Sequence, residues 1–408
     1  ETVIRAGFGT FYAPVSLQVI TAAALQSDSG EFINLQSRTL QDGAQSTQAL
    51  WAYGVSLGKL PFTSLTDPHV RAFVLIPAPR QPGRRIAEAA SDYDNPYTVQ
   101  ASIGVSQQLG RTLAVEIAGL MYHGVHLPIA LEGNYRETGQ FVTVPGLPPN
   151  DLFGPRLERI DPLIGQKIIH SSEGNSIYYG LTAALSKRFN KGSQFRISYT
   201  YGKALDDVLD FTGASTPYLP TRRYVDRGIS AYDLRHSFVA SGSIDTPFKA
   251  GPGNPWVERA LADVTISPII TLRDGFPFNL FIGRDVNGDL NATDRPYHAP
   301  RNSGQGENFY SVDARIIKRF FFQKNSDGPS LDVIVEAVNL LNRANFLRVN
   351  DIVCGTTSQL GFINGCDPKF LLGPFDFKGI RGLPPTAPLA FVAAAPARQF
   401  QFGLKVNF

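Results

Sequence analysis

Between Gly283 and Pro296 the chain reads GRDVNGDLNATDRP, with Asp285, Asn287, Asp289 and Asn291 alternating and Asp294 three residues further on. Side-chain oxygens at alternate positions are what a hard divalent cation such as calcium takes from a loop. A twelve-residue calcium loop uses its first, third, fifth, seventh, ninth and twelfth positions and keeps glycine at the sixth. Counted from Asp285, the first, third, fifth and seventh positions match. The sixth is Leu290, the ninth is Thr293, the last acid is Asp294 at the tenth, and no Glu closes the set. Asp, Asn and Gly are equally the residues of tight cation-free loops, because their side chains bond nearby backbone and tolerate left-handed conformations. Two readings stand: a calcium-braced loop, stiffened and not sensing, or a set of turns. Neither makes a metal a required cofactor.

The other chemistry-bearing residues are sparse. His69, His123, His126, His170, His236 and His298 are scattered, and the HGVH pair falls in strand-like sequence. Residues three apart on a regular strand point to opposite faces, so the pair makes no metal clamp. No HExxH or phosphate loop occurs, and no enzyme is expected. Cys354 and Cys366 are too few for a disulfide scaffold or a thiolate metal centre. With 38 Lys plus Arg against 35 Asp plus Glu, bulk charge gives no reason to expect nucleic acid as a partner.

The elements that must hold these residues are strands. No run of 18 apolar residues exists, which excludes a transmembrane helix. Period-two alternation recurs instead. In RQFQFGLKVNF, Phe400, Phe402, Leu404, Val406 and Phe408 share one face and Gln399, Gln401, Gly403, Lys405 and Asn407 the other. Similar alternation puts Glu116, Arg196, Asp313, Arg315, Arg319 and Lys405 on faces opposite apolar rows. Charges at mid-strand are costly unless that face meets water or a partner. The pattern predicts ten strands near 1–12, 96–109, 112–123, 176–189, 193–203, 233–248, 261–282, 309–322, 331–342 and 398–408. Pro268 predicts a bulge in the seventh, and the first long loop has room for a hairpin.

Connection lengths decide the class. They alternate long and short, with long ones at 13–95, 124–175, 204–232, 283–308 and 343–397. An antiparallel meander then carries every long loop at one end. Short turns at one end, long loops at the other and strands apolar on one face are the pattern of an outer-membrane barrel. A soluble sandwich would explain the alternation but not the loop asymmetry. The N-terminus, ETVIRAGFGTFYAP, has no initiator Met, basic region or apolar leader, and reads as the interior of a longer protein of which residues 1–408 are the C-terminal barrel portion.

Several segments resemble a known family. RQFQFGLKVNF, ending on Phe408, resembles the C-terminal strand that the outer-membrane assembly machinery recognises, with Phe400, Phe402, Leu404, Val406 and Phe408 as the signal. EAVNLLNRANF resembles the penultimate strand of TonB-dependent receptors: Asn339, Leu340, Asn342, Arg343 and Phe346 match, while Leu341 stands where Phe is usual. NPYTVQASIGVSQQLGRTLAVEIAGLMYHGVHLP, YYGLTAALSKRFNKGSQFRISYTYGKALDD and DLRHSFVASG look like the Oar-like branch of those receptors.

The resemblance implies a bacterial outer-membrane location and a 22-stranded parent barrel with an N-terminal plug and a segment gripped by TonB. It implies as partners the lipid bilayer, lipopolysaccharide, the assembly machinery and, through the missing part of the parent chain, the plug and TonB. The implied function is uptake of a scarce ligand; a passive porin-like or adhesive barrel is the alternative. In such a receptor the final strand ends in the periplasm, so the long loops face outward and the wall charges face the lumen. Outside the cell thiols oxidise, and Cys354 and Cys366 are then expected to pair. A closed loop of about 13 residues gains roughly 3 kcal/mol from unfolded-state entropy. Ten strands of a larger sheet leave two edges, so an all-β antiparallel sheet, curved and incompletely closed, is expected.

Overall fold

The computed structural model describes residues 1–14, 84–143, 151–162, 164–190, 192–208, 216–248, 255–291, 293–322, 328–354 and 369–408. The ten wall strands are β1 (Thr2–Tyr12), β2 (Tyr97–Leu109), β3 (Leu113–Glu132), β4 (Ile164–Asn190), β5 (Ser193–Asp206), β6 (His236–Asp245), β7 (Val264–Arg273), β8 (Phe309–Phe321), β9 (Ser330–Val338) and β10 (Gln399–Asn407). Each pairs antiparallel with its neighbours in chain order, from β1 through to β10. β1 and β10 do not pair with each other, so the sheet is open, as the strand count led one to expect.

Register shows why the sheet has two unlike faces. Ile4 faces Val105, Val105 faces Ile117, Ile117 faces Ala183 and Ala183 faces Tyr199. On the far side Ile266 faces Ile316, Ile316 faces Val335 and Val335 faces Phe402. Cross-strand partners share a face, so these chains of pairs form one apolar surface. It is not a core: Phe8 is 79% exposed, Leu181 54%, Phe402 76% and Leu404 74%. A large exposed apolar surface made of alternating residues in a barrel-type sheet is a lipid face.

Three strand ends lie far from the sequence expectation, each because of what a neighbouring segment does. β3 continues past 123 to Glu132 and β4 starts at Ile164, twelve residues early, because the two stay paired beyond a bulge near Val125 and His126. His126 there has φ 56°, so simple alternation does not relate it to His123. β7 stops at Arg273 because the chain then passes against Gly306, where a Cβ on Gly275 would lie 2.1 Å from the Gly306 carbonyl oxygen. Pro268 makes no bulge: it pairs with Ala314 in unbroken register, and the β6 ladder resumes in the same register on either side of it. The first long connection supplies Arg84–Ala89, which pairs parallel with β4, while residues 15–83, the rest of the connection expected to have room for a hairpin, lie outside the described residues.

The end of β9 explains the Asn-rich motif. Asn339 and Asn342 sit at φ 53° and 51°, left-handed positions that Asn tolerates. The Asn339 amide donates to the carbonyls of Arg343 and Pro396, and its Oδ1 accepts from the Arg343 N–H. Asn345 brackets the Tyr310 backbone from both sides, and the Arg343 guanidinium lies 4.4 Å over the Tyr310 ring. The motif is a turn that ends the strand and locks it to β8.

Candidate functional site

The connections at one end of the sheet fold into a layer of their own. Leu152 and Phe153 from the β3–β4 connection, Leu280 and Ile282 from β7–β8, and Val349, Val353, Phe370 and Leu389 from β9–β10 form one buried cluster. A hairpin of Tyr135–Phe141 and Pro155–Arg159 stands beside it. Cys354 belongs to the same cluster and is disulfide-bonded. Cys366, its expected partner, lies outside the described residues.

Two ion pairs made by buried arginines hold the layer to the strand ends. Arg295 Nη2 donates to Asp226 Oδ1 at 2.7 Å, with the side chains only 3% and 1% exposed. Asp226 Oδ2 accepts from the Tyr218 N–H, and the Arg295 guanidinium also lies 5.0 Å over the Tyr218 ring. Burial pulls the Arg295 guanidinium down from its ordinary value, and Asp226 opposes that pull. Arg301 bonds Asp206 at the end of β5 and the carbonyls of Val208 and Asp226. The sequence offers little sign of these pairs, because the partners stand 69 and 95 residues apart.

A third contact is more open. Arg222 donates through Nε and Nη2 to the two oxygens of Glu137, at 2.7 and 2.6 Å, and through Nη1 to the Tyr297 hydroxyl. The Arg222 hydrogen bond holds the Glu137 carboxyl below its ordinary value. A depressed carboxylate adds stability above its unfolded-state pKa and loses it as pH falls through the folded value. Acidification below the usual glutamate range is therefore expected to release the hairpin from Arg222. Protection of the Glu137 segment against amide exchange, taken relative to the intrinsic rate at each pH, should fall at acid pH in the wild type and change much less in Glu137→Gln.

The Asp-rich stretch runs through this layer. Its carboxylates fold inward on its own backbone. Asp285 accepts from the N–H groups of Gly288 and Leu290 at 2.7 and 2.9 Å. Asp294 accepts from Val286 N, Asn287 N and Asn287 Nδ2 at 2.6, 3.2 and 3.1 Å. Asn287 Oδ1 accepts from Asp289 N, and Asp289 Oδ1 from Asn291 N. Asn291 is tied to Gln166 and Thr216. Leu157 N to Asn287 O and Ile282 N to Asp294 O anchor both ends. Burial pushes Asp289 up to about 6 and Asp294 up to about 8, with the neighbouring acids adding to both. Among the described residues no three Asp, Glu, His or Cys side chains converge as a metal centre. Beside the stretch lies an open cleft of about 730 Å³, lined by Phe141, Val142, Asp151, Arg156, Asp285 and Asn287 among others.

The wall charges named from sequence share one face of the sheet by register, opposite the apolar surface. Glu116 and Arg196 approach to 3.9 Å. Arg315 bonds Glu336, and Arg319 Nε donates to Asp332 Oδ1 at 2.7 Å. Asp313 accepts from Ser311 Oγ and Asn339 N, and Lys405 stands opposite Asp332. Glu336 and Asp332 are the partners that sequence reasoning missed. Phe400, Phe402, Leu404 and Val406 are exposed on β10, and Phe408, the residue after it, is exposed too.

No curated protein sequence matches the chain. Solved structures that it resembles include the outer membrane transporter YddB from Escherichia coli, at 8% identity and TM-score 0.41, over 66% of this chain and 32% of that one. Another is the pyoverdine outer membrane receptor FpvA from Pseudomonas aeruginosa, at 12% identity and TM-score 0.37, over 81% and 31%. A third is the FrpB iron transporter from Neisseria meningitidis, at 12% identity and TM-score 0.33, over 64% and 29%. The chain thus matches about a third or less of the length of each. The family model described as "Outer membrane beta barrel domain" matches residues 1–300. The chain belongs to that family, and its apolar sheet face lies in the lipid of the bacterial outer membrane.

Proposed function

We propose that this chain is part of the barrel wall of a TonB-dependent outer-membrane transporter that captures a scarce ligand at the cell surface. The observation that carries the reading is a ten-strand meander open at both edges. Lipid cannot satisfy the unpaired backbone groups of β1 and β10, so further strands must cover them or the sheet must close on itself. The Asn339 turn and the β10 aromatic row add the resemblance to receptors, and β10 serves as the signal read by the assembly machinery. On this reading Glu116, Arg196, Asp313, Arg315, Arg319 and Lys405 face the lumen and meet water or a plug driven by TonB. The loop layer faces outward beside lipopolysaccharide, and its cleft is large enough for a small ligand. No catalytic step is assigned.

Intact mass and N-terminal sequencing of the native protein from an outer-membrane fraction test this. A polypeptide well over twice the 44.5 kDa of this chain, beginning with a plug, is the expected result. A mature chain near 44.5 kDa starting close to Glu1 would replace the transporter with a small, self-closed passive barrel.

A further inference from the structure

The stretch from Asp285 to Asp294 buries a carboxylate oxygen that its surroundings do not satisfy. Asp289 is fully buried and Asp294 is 1% exposed. Among the described residues, none of Asp285, Asp289 and Asp294 lies within ion-pair distance of a Lys, Arg or His. The neighbouring Arg295 is already committed to Asp226. Asp285 and Asp294 place both their oxygens on N–H donors. Asp289 does so with Oδ1 only; its Oδ2 is buried and has no hydrogen-bond partner. A buried carboxylate oxygen without a donor or cation is costly, and native proteins rarely leave one so.

We propose that this loop binds a hard divalent cation of the calcium type, with Asp289 Oδ2 as its buried carboxylate ligand. The chemistry fits such an ion and not a soft one: the side-chain ligand atoms of the stretch and its bonded neighbours are carboxylate, amide and hydroxyl oxygens. The three acids are not gathered into a ready three-carboxylate cluster. The ligand set is therefore mixed, Asp289 and its charged neighbour Asp285 supplemented by amide and backbone oxygens and water. The backbone agrees. Leu290, at the position where calcium loops keep glycine, has φ 69°, the left-handed conformation that glycine supplies there. The cation would brace the loop against the hairpin at Leu157 and the wall of the cleft.

The test uses the native full-length protein, purified in detergent and stripped with a chelator, with calcium chloride as probe and magnesium chloride as comparison. Titration calorimetry should show saturable calcium binding near 10⁻⁴–10⁻³ M, the range of extracellular modules, weakened at least tenfold in Asp289→Asn. Comparing the variant with wild type separates the loop from calcium held by residual lipopolysaccharide. Trypsin cleavage after the exposed Arg284 gives a second readout. At about 10 mM calcium the wild type should be cut roughly 10–100-fold more slowly than in chelator. In chelator Asp289→Asn should resist cleavage better than wild type, because it removes the unmatched charge, and calcium should not protect it further. Absence of saturable binding, equal binding by Asp289→Asn, or faster cleavage of the variant in both conditions would overturn the proposal.

Discussion

Asp226→Ala is expected to destabilise the loop layer by about 3–5 kcal/mol, the usual cost of removing one partner from a buried ion pair. The cost comes from what is left behind. Arg295 would stay buried with its charge uncompensated, and the Tyr218 N–H would lose its acceptor. The magnitude depends on burial: exposed pairs such as Arg136–Glu158 contribute about 0–1 kcal/mol at most. The pair itself need not stabilise the fold relative to apolar residues of similar volume. Asp226→Leu combined with Arg295→Met should therefore recover most of the loss. Denaturant-dependent amide exchange at Tyr218 and Val225 reports the layer separately from the barrel wall. A single-variant loss below about 1 kcal/mol would mean that water reaches the pair and that the layer is looser than its burial implies.

Leu181→Arg is expected to weaken folding into a bilayer by about 2–4 kcal/mol, the cost of a charge on the lipid face near the membrane midplane. Leu181 lies on the continuous apolar face, between Gly119 of β3 and Tyr201 of β5. Its sequence neighbour Thr182 points to the opposite face, where its hydroxyl meets that of Thr200 at 3.1 Å. Thr182→Arg should lose only the hydroxyl contact, well under half the cost of Leu181→Arg. Folding equilibria in phospholipid vesicles, followed by electrophoretic mobility of the unheated protein, compare the two directly. Equal costs, or a larger cost for Thr182→Arg, would reverse the assignment of faces.

Much of the wall was legible in advance because a β-strand in a membrane barrel is constrained locally. Its two environments, lipid and a polar face, repeat every two residues, so RQFQFGLKVNF and SQFRISYTYGK declare their faces without reference to any partner. Turns such as that at Gly110, with φ 74°, are equally local. Strand ends were less legible, because they depend on what a neighbour does. β4 begins at Ile164 only because β3 continues to Glu132, and β7 ends where Gly275 meets Gly306. Pro268 illustrates the same limit: a missing N–H was read as a bulge, whereas its neighbours keep the register on both sides.

By itself, then, the sequence determined an all-β antiparallel wall with one apolar face, one charged face and all the long connections at one end, because alternation and loop length are properties of short segments. It also marked the oxygen-rich run from Asp285 to Asp294. Tertiary structure alone decided which charges meet and which are left without a match. Arg295 finds Asp226 across 69 residues, while Asp289 keeps one carboxylate oxygen unsatisfied within a loop whose sequence fitted a cation site and a set of turns alike. Burial and long-range pairing depend on how the connections pack over one another, and that is settled by contacts between segments and not by the residue types within any one of them.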